Sequence, residues 1–188
     1  MRLFTVFLSA FLLCILSYEM AYSGTFSDHP VHSGKWTDQY DRHFKKYSKR
    51  YFGPLFDWHW FKAQAIAESG LAEDAESHVG ARGLMQIMPE TFKDITKKNP
   101  HFSQLDSPKW NIAAGIYYNR TLYRKFTKTA EQDKLYMTFA SYNAGYGRIL
   151  NASKRVGKEE KIWEDIRPYL PKETQDYVRR IRQLMGDI

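Results

Sequence analysis

A helical arrangement of apolar residues, bounded by proline and glycine, constrains the fold of this chain more than any other feature of its sequence. Proline is favoured at the first position of a helix, and glycine just past its last residue. Pro89 and Pro171 stand near two predicted helix starts, and Gly145 and Gly157 near two predicted ends. Alternating runs of β-branched residues are few, so an extended sheet has little support. The pattern predicts a mainly α protein with helices over residues 38–51, 57–69, 89–98, 107–126, 131–144, 146–156, 162–169 and 172–185.

The length of 188 residues allows one domain with a sizeable apolar core, which we expect over residues 38–188. Cys14 is the only cysteine, and it lies in an apolar stretch near the N-terminus. Removal of that stretch would leave no thiol in the protein. The domain is therefore expected to be held together by packing, without a disulfide.

The first residues have the character of an export signal. A basic residue precedes an apolar run over residues 3–18, and Ala21 and Ser23 form a small-residue cleavage site. The run is shorter than the ~20 residues of a membrane-spanning helix, so cleavage is favoured and a retained anchor is the alternative. We expect a signal peptide over 1–23, a polar, flexible lead-in over 24–37, export through the inner membrane, and a periplasmic or cell-wall-associated protein.

A net charge of +7 makes the chain clearly basic. Cell-wall polymers, anionic membrane surfaces and nucleic acid are the partners that such a charge favours. The basic residues are dispersed, as in HFKKYSKRYF over residues 43–52, and no recognised nucleic-acid motif accompanies them, so nucleic acid is not expected as a partner. The six histidines show no paired metal-ligand spacing, and neither a metal nor a cofactor is predicted.

One carboxylate stands on the apolar side of a predicted helix. Phe61, Ala65 and Glu68 are spaced i, i+4 and i+7, which places them along one stripe. Asp57 is the expected N-cap and Gly70 the expected residue past the end, so Glu68 falls in the last turn. Partial burial and the negative end of the helix dipole both disfavour its ionised form. We expect its pKa to lie near neutrality; the alternative is an ordinary surface glutamate at a frayed helix end.

A long polar loop, LAEDAESHVGARG over residues 71–83, follows this helix. Loops of this length inside a compact domain are commonly functional. The loop leads into GARGLMQIMPET over 80–91, where Gln86 is the one polar residue of the short apolar turn from Leu84 to Met88. Taken singly, such a glutamine is more often a core amide, and such methionines fill gaps in a core.

SYNAGYGRI over residues 141–149 completes a set of three signatures, after ESG over 68–70 and GARGLMQIMPET over 80–91. In this order and spacing, the set resembles the catalytic domain of the family 1 soluble lytic transglycosylases. The resemblance covers residues 40–182, and LPKETQDYVRRI over 170–181 looks like the closing helix of that family. It implies a mainly α, goose-type lysozyme-like single domain that acts on peptidoglycan. The implied reaction cleaves the β-1,4 bond between N-acetylmuramic acid and N-acetylglucosamine and forms a 1,6-anhydromuramyl product.

The same resemblance implies roles for individual residues. Glu68 would be the catalytic residue, acting first as an acid and then as a base. The substrate-binding residues would be Ser77, Gln86, Met88, Tyr142 and Asn143. Ser77 would approach the N-acetyl group of the sugar, although His78 follows it where relatives often carry proline. The hydroxyl of Tyr142 would lie near the catalytic carboxyl, and Asn143 would either belong to the cleft or brace the end of its helix.

Glycosidases usually use two carboxylates, but only Glu68 lies in a strong motif. The remaining acids near it, Glu73, Asp74, Glu76 and Glu90, are expected to be solvated or to favour a helix start. A transglycosylase can work with one acid, because the substrate N-acetyl group supports the anomeric carbon and the muramyl 6-hydroxyl replaces water.

Two alternatives remain open at this point. A goose-type lysozyme hydrolase would need a second carboxylate, such as Glu73 or Asp74, to position water. A catalytically weak peptidoglycan-binding scaffold would need only the cleft. For each of these activities we expect a monomer that binds peptidoglycan glycan strands, with cell-envelope assembly proteins as further candidate partners.

Overall fold

The computed structural model describes residues 29–158 and 161–188, and its helices confirm the mainly α prediction. Within these ranges lie eight α-helices. They are α1 (Asp41–Phe52), α2 (His59–Ser69), α3 (Pro89–Lys98), α4 (Pro108–Tyr123), α5 (Glu131–Ala144), α6 (Tyr146–Val156), α7 (Trp163–Ile166) and α8 (Lys172–Leu184). Short 3₁₀-helices span Pro30–His32 and Arg167–Tyr169. The predicted signal peptide over 1–23 lies outside the described residues.

Several helix boundaries follow the sequence closely, since α3, α5 and α6 have their predicted bounds. Helix α2 begins at His59, two residues after the predicted start, because Trp58 is the residue in the N-cap position. The carboxylate of Asp57 nevertheless accepts a hydrogen bond from the backbone N–H of His59 at 3.0 Å. Asp57 therefore satisfies one of the donors at the helix start, as an N-cap side chain does.

The predicted helix over residues 162–169 is wrong in its second half. Helix α7 is a single turn that ends at Ile166, and the 3₁₀-helix Arg167–Tyr169 follows it directly. Pro168 lies in this second segment. Proline has no backbone N–H and its ring collides with the preceding turn of an α-helix, so the chain cannot continue the α conformation through it.

The core lies among α2, α4 and α5, which bury residues on most of their faces, and the amphipathic helices around them. Helix α4 packs against α1 and α5, α5 also contacts α6 and α8, and α2 contacts α1 and α8. The large side chains that are fully shielded from solvent include Phe44, Phe61, Ile112, Phe139 and Val178. This packing brings the end of α2 against α8, which follows it by about 100 residues in the chain. No helix in the described part of the chain is both long and apolar enough to cross a membrane.

Part of the predicted flexible lead-in packs on the domain, which corrects that prediction for the 3₁₀-helix Pro30–His32. Val31 is 0% exposed and belongs to the apolar core. The segment contacts α2 and α8, and the ring of His32 meets that of His59 edge-on, with 4.2 Å between centroids. A single apolar residue in a polar segment thus anchors the segment, because its burial removes apolar surface from water. Residues 24–28 lie outside the described ranges.

Candidate active site

Helix α2 carries Glu68 to the edge of the apolar core. Phe61 and Ala65, on the same stripe, are 0% exposed, whereas Glu68 in the last turn is half-buried. Gly70 ends the helix in the left-handed conformation (φ 65°), and its N–H donates to the carbonyl of Ile66 at 3.0 Å. The predicted stripe and the predicted glycine at the helix end are both confirmed. The Glu68 side chain is therefore held at the edge of the core and is only partly exposed.

Burial raises the pKa of Glu68 from 4.5 to about 7. The loss of water around the carboxylate outweighs the opposing effect of a hydrogen bond from Tyr177. The upward shift expected from the sequence is thus confirmed, with burial as its main cause. At neutral pH the group is divided between its acid and carboxylate forms, as a residue that must give and then take a proton requires.

Tyr177, on α8, is the direct partner of the carboxyl group. Its hydroxyl donates to Oε1 of Glu68 at 2.5 Å, across 109 positions of the sequence. Burial and the nearby Glu68 raise the pKa of this phenol well above 10, so it remains a donor at neutral pH. The sequence did not single out Tyr177. Its signal is a tyrosine on the buried stripe of α8, with Thr174, Val178 and Ile181, because a buried tyrosine hydroxyl needs a polar partner.

Tyr142, near the end of α5, interacts with the same carboxyl group electrostatically, without a hydrogen bond to it. Burial raises its pKa well above 10, and the charge of Glu68 contributes to that rise. Its hydroxyl, however, donates to the backbone carbonyl of Met85 at 2.8 Å. Its ring meets that of Tyr118 edge-on, with centroids 5.4 Å apart. Tyr142 therefore ties α5 to the loop that follows α2, within electrostatic reach of Glu68.

Ser77 and Gln86 hold the loop in its bent shape. The Oγ of Ser77 accepts a hydrogen bond from the N–H of Ala81 at 2.9 Å, which leaves the serine hydroxyl its own proton to donate. Gln86 has a positive φ of 44°, and its Nε2 donates to the carbonyls of Ala75 and Gly83, both at 3.0 Å. Both predicted residues thus lie in one structural unit, and both make bonds within the loop itself.

Asn111, a buried residue near the start of α4, joins this loop to the core. Its Oδ1 accepts from the N–H of Met85 at 2.7 Å, and its Nδ2 donates to the carbonyls of Arg82 and Leu105 at 2.9 and 3.1 Å. A Cβ atom at Gly83 would lie 2.5 Å from that Nδ2, so only glycine fits there. The sequence did not identify Asn111, whose one signal is an amide at the start of the apolar run IAAGI. The loop is therefore held in place from α4 as well as by its own hydrogen bonds.

The sequence model of the family described as Transglycosylase SLT domain matches residues 44–164. The chain belongs to this family. The resemblance drawn from the three sequence signatures is thereby confirmed.

Curated relatives of the SLT domain carry the name "Membrane-bound lytic murein transglycosylase F". The protein of that name from Cellvibrio japonicus is 32% identical over 119 residues, which are 61% of this chain and 23% of the relative. The one from Vibrio parahaemolyticus is 30% identical over 132 residues, 68% of this chain and 23% of the relative. The chain thus spans under a quarter of the length of these relatives.

Solved structures share the fold of the SLT domain. The 70 kDa soluble lytic transglycosylase SLT70 from Escherichia coli superimposes with a TM-score of 0.68 and 26% identity, over 91% of this chain and 27% of that one. A complex of the 70-kDa soluble lytic transglycosylase with bulgecin A gives a TM-score of 0.60 and 27% identity, over 79% and 24% of the two chains. These neighbours confirm the mainly α, lysozyme-like fold predicted for the chain.

Two predicted site residues of the SLT domain, Met88 and Asn143, are exposed and have surroundings different from those of Glu68. Met88 precedes α3 in the N-cap position, and 40% of it is exposed. Asn143 is exposed near the end of α5, and its Oδ1 accepts from the hydroxyl of Thr174 on α8 at 2.8 Å. The contact of Asn143 fits the bracing role that the sequence left open. Neither residue hydrogen-bonds to the carboxyl group of Glu68.

None of the acids in the loop after α2 acts on the carboxyl group of Glu68 in this geometry. Burial and Tyr177 are the two causes of the pKa shift of Glu68, and no other carboxylate contributes to it. Glu73 is exposed and accepts from the hydroxyl of Tyr40 at 3.0 Å. Asp74 and Glu76 are exposed as well. Across residues 29–158 and 161–188, no three histidine, cysteine or acidic residues are arranged to hold a metal ion.

Proposed function

We propose that this SLT domain is a peptidoglycan lytic transglycosylase. It would cleave the β-1,4 bond between N-acetylmuramic acid and N-acetylglucosamine and form a 1,6-anhydromuramyl product. The observation that carries the proposal is a single half-buried carboxyl group, Glu68, whose pKa of about 7 is set by burial and by one tyrosine. The names of the relatives and of the solved neighbours support the same activity.

The proposed reaction uses Glu68 twice. In its acid form it protonates the oxygen between the two sugars, and the bond from that oxygen to C1 of the muramyl residue breaks. The carbonyl oxygen of the substrate's own N-acetyl group supports the positive charge on C1. Glu68, now a carboxylate, takes the proton from the muramyl 6-hydroxyl while O6 attacks C1 and closes the anhydro ring. One proton leaves and returns, and no water is consumed.

Tyr177 would determine which oxygen of the Glu68 carboxyl group carries the transferable proton. Because its hydroxyl donates to Oε1, the transferable proton of Glu68 resides on Oε2. The same hydrogen bond stabilises the carboxylate that forms after the first step. Substrate contacts are proposed for Ser77, Gln86, Met88, Tyr142 and Asn143, with Ser77 directed to the N-acetyl group.

We further propose that the catalytic unit spans residues 38–188 and acts as a monomer on glycan strands, in the periplasm or at the cell wall. The predicted export signal over 1–23 supports that location, and a net charge of +7 favours retention on an anionic wall. Cell fractionation of the full chain, with and without residues 1–23, tests the location. Retention of the truncated protein inside the cytoplasm, and release of the full one, is the expected result.

The activity is tested by incubating the protein with purified peptidoglycan and identifying the released fragments by mass spectrometry. Wild-type protein should release fragments that end in 1,6-anhydromuramic acid, and Glu68→Gln should lower turnover by at least about 100-fold, because general acid catalysis is lost. Glu90→Gln, an exposed carboxylate in the first turn of α3, is the matched control and should retain full turnover.

Other outcomes of the same assay point to the alternatives. Fragments with reducing ends would mean that water is the acceptor, and Glu73→Gln would then test whether the loop supplies a second carboxylate. Binding without cleavage by wild-type protein would identify a scaffold. Full turnover by folded Glu68→Gln would remove Glu68 from the mechanism.

A further inference from the structure

A buried pair of amides lies one turn of helix behind the catalytic carboxyl group. Gln64 stands four residues before Glu68 on α2, and Asn119 lies on α4; both are 0% exposed. The Nδ2 of Asn119 donates to Oε1 of Gln64 at 2.7 Å. No step of the proposed reaction uses either residue. Two large polar side chains in an apolar core therefore call for an explanation.

This hydrogen bond determines which end of the Gln64 amide faces away from Asn119. Because Oε1 is occupied by Asn119, Gln64 presents its Nε2, a donor, to the remaining surroundings. That Nε2 and the Oδ1 of Asn119 are buried without a well-formed hydrogen bond. A buried polar group left in this state carries a desolvation cost. Burial of this donor therefore lowers the free energy of unfolding.

The group that the Gln64 donor faces is the hydroxyl of Tyr177. Gln64 interacts with this hydroxyl and lowers the pKa of the phenol. The contact is longer or more bent than an ordinary hydrogen bond, since Nε2 has no partner at hydrogen-bond geometry. A donor beside the tyrosine oxygen leaves the tyrosine proton one acceptor, Oε1 of Glu68 at 2.5 Å. With the amide turned over, Gln64 would offer an oxygen and compete with Glu68 for that proton.

We propose that Gln64, oriented by Asn119, is a positioning residue that keeps the Tyr177 hydroxyl donating to Glu68 and thereby sets the proton affinity of the catalytic acid. The proposal rests on the function proposed above. Gln64 touches neither the reacting atoms nor the substrate. It acts through Tyr177, and Asn119 acts through Gln64.

Other groups near Glu68 make contacts that do not depend on Gln64. Tyr142 on α5 is coupled to the charge of Glu68, and Tyr118 on α4 packs against Tyr142. Arg180 on α8 donates from Nη2 to the carbonyl of Ile66, two residues before Glu68, at 3.4 Å. None of these contacts involves the Gln64 amide. A change in the titration of Glu68 after substitution of Gln64 is therefore expected to pass through Tyr177.

The test variant is Gln64→Met, which keeps the length of the side chain and removes the donor. A second variant, Gln64→Met with Asn119→Leu, removes both amides, so that no buried amide is left without its partner. The carboxyl of Glu68 is titrated by NMR in the full chain with ¹³C-labelled glutamate, and its signal is assigned by its loss in Glu68→Gln. We expect both variants to raise the proton affinity of Glu68 by about three- to tenfold, half to one pH unit.

Tyr177→Phe tests whether Gln64 affects Glu68 through the Tyr177 hydroxyl. If Gln64 acts only through Tyr177, adding Gln64→Met to Tyr177→Phe should leave the midpoint of Glu68 unchanged. The alkaline limb of kcat/KM against pH should move upward in Gln64→Met by the same amount as the NMR midpoint, because the acid form of Glu68 is needed for the first step.

An unchanged midpoint in both folded Gln64 variants would overturn the proposal and leave the amide pair a structural role only. Equal shifts from Gln64→Met with and without the Tyr177 hydroxyl would also overturn it, since Gln64 would then act on Glu68 directly. The titration requires no turnover. Absence of anhydro products from wild-type protein would therefore reject the proposed function while the titration still decides the role of Gln64.

Discussion

Replacing Glu68 with glutamine should make the protein more stable at alkaline pH. Below pH 4.5 the carboxyl is protonated in both the folded and the unfolded chain, and it adds no penalty. As the pH rises from 4.5 through about 7, the unfolded chain loses its proton first, and the folded state is progressively disfavoured. A rise in pKa from 4.5 to about 7 corresponds to roughly 3–4 kcal/mol at most. Because part of Glu68 meets solvent, we expect about 2 kcal/mol.

Urea unfolding followed by tryptophan fluorescence measures this difference. At pH 8.5 Glu68→Gln should exceed wild-type protein by about 2 kcal/mol in the free energy of unfolding, and at pH 4.5 by less than about 0.5 kcal/mol. Comparing the two proteins at each pH cancels the titration of the histidines. Glu90→Gln, with its exposed side chain, should show no comparable pH-dependent gain. An equal stability of Glu68→Gln and wild-type protein at both pH values would refute the argument that burial raises the pKa of Glu68.

Three further substitutions test the surroundings of the site. Tyr177→Phe should move the alkaline limb of kcat/KM upward by about one to two pH units, because a hydrogen bond to a charged group contributes roughly 1.5–3 kcal/mol. An unmoved limb would show that this bond does not tune Glu68. Gly83→Ala should lower the free energy of unfolding by more than about 2 kcal/mol, since a positive φ and a collision with Asn111 add together. Gly80→Ala, at a positive φ but in open space, should cost about 1 kcal/mol. Equal costs at the two glycines, measured by urea unfolding, would speak against the Asn111 contact.

The predictable parts of the fold and site are those governed by neighbours in the sequence. The stripe of Phe61, Ala65 and Glu68 repeats at helical spacing, and Gly70 ends the helix as glycine commonly does. Burial of a carboxyl on that stripe implies an elevated pKa, so the unusual acidity of Glu68 could be predicted before its partners were known.

The partners themselves could not be predicted, because they come from distant parts of the chain. Tyr177 lies 109 positions after Glu68, and Asn111 lies 26 positions after the Met85 amide that it binds. A helical pattern shows which side of α8 faces the core but not which residue of another helix it meets. Local effects were missed where a single residue decides the outcome. Pro168 ends the α conformation after α7, and Val31 anchors an otherwise polar segment.

Asn111 also limits the conformational freedom that the loop keeps in the folded protein. One side chain fixes two carbonyls and the N–H of Met85, and it does so from within the core. The segment cannot move outward without breaking these bonds together, so its amide hydrogens should exchange with solvent as one cooperative unit. Its conformational entropy is lost when the chain folds and not when a ligand arrives. If the loop contacts a glycan strand, as the proposed function has it, it would do so without further ordering, and association would lose little further entropy there.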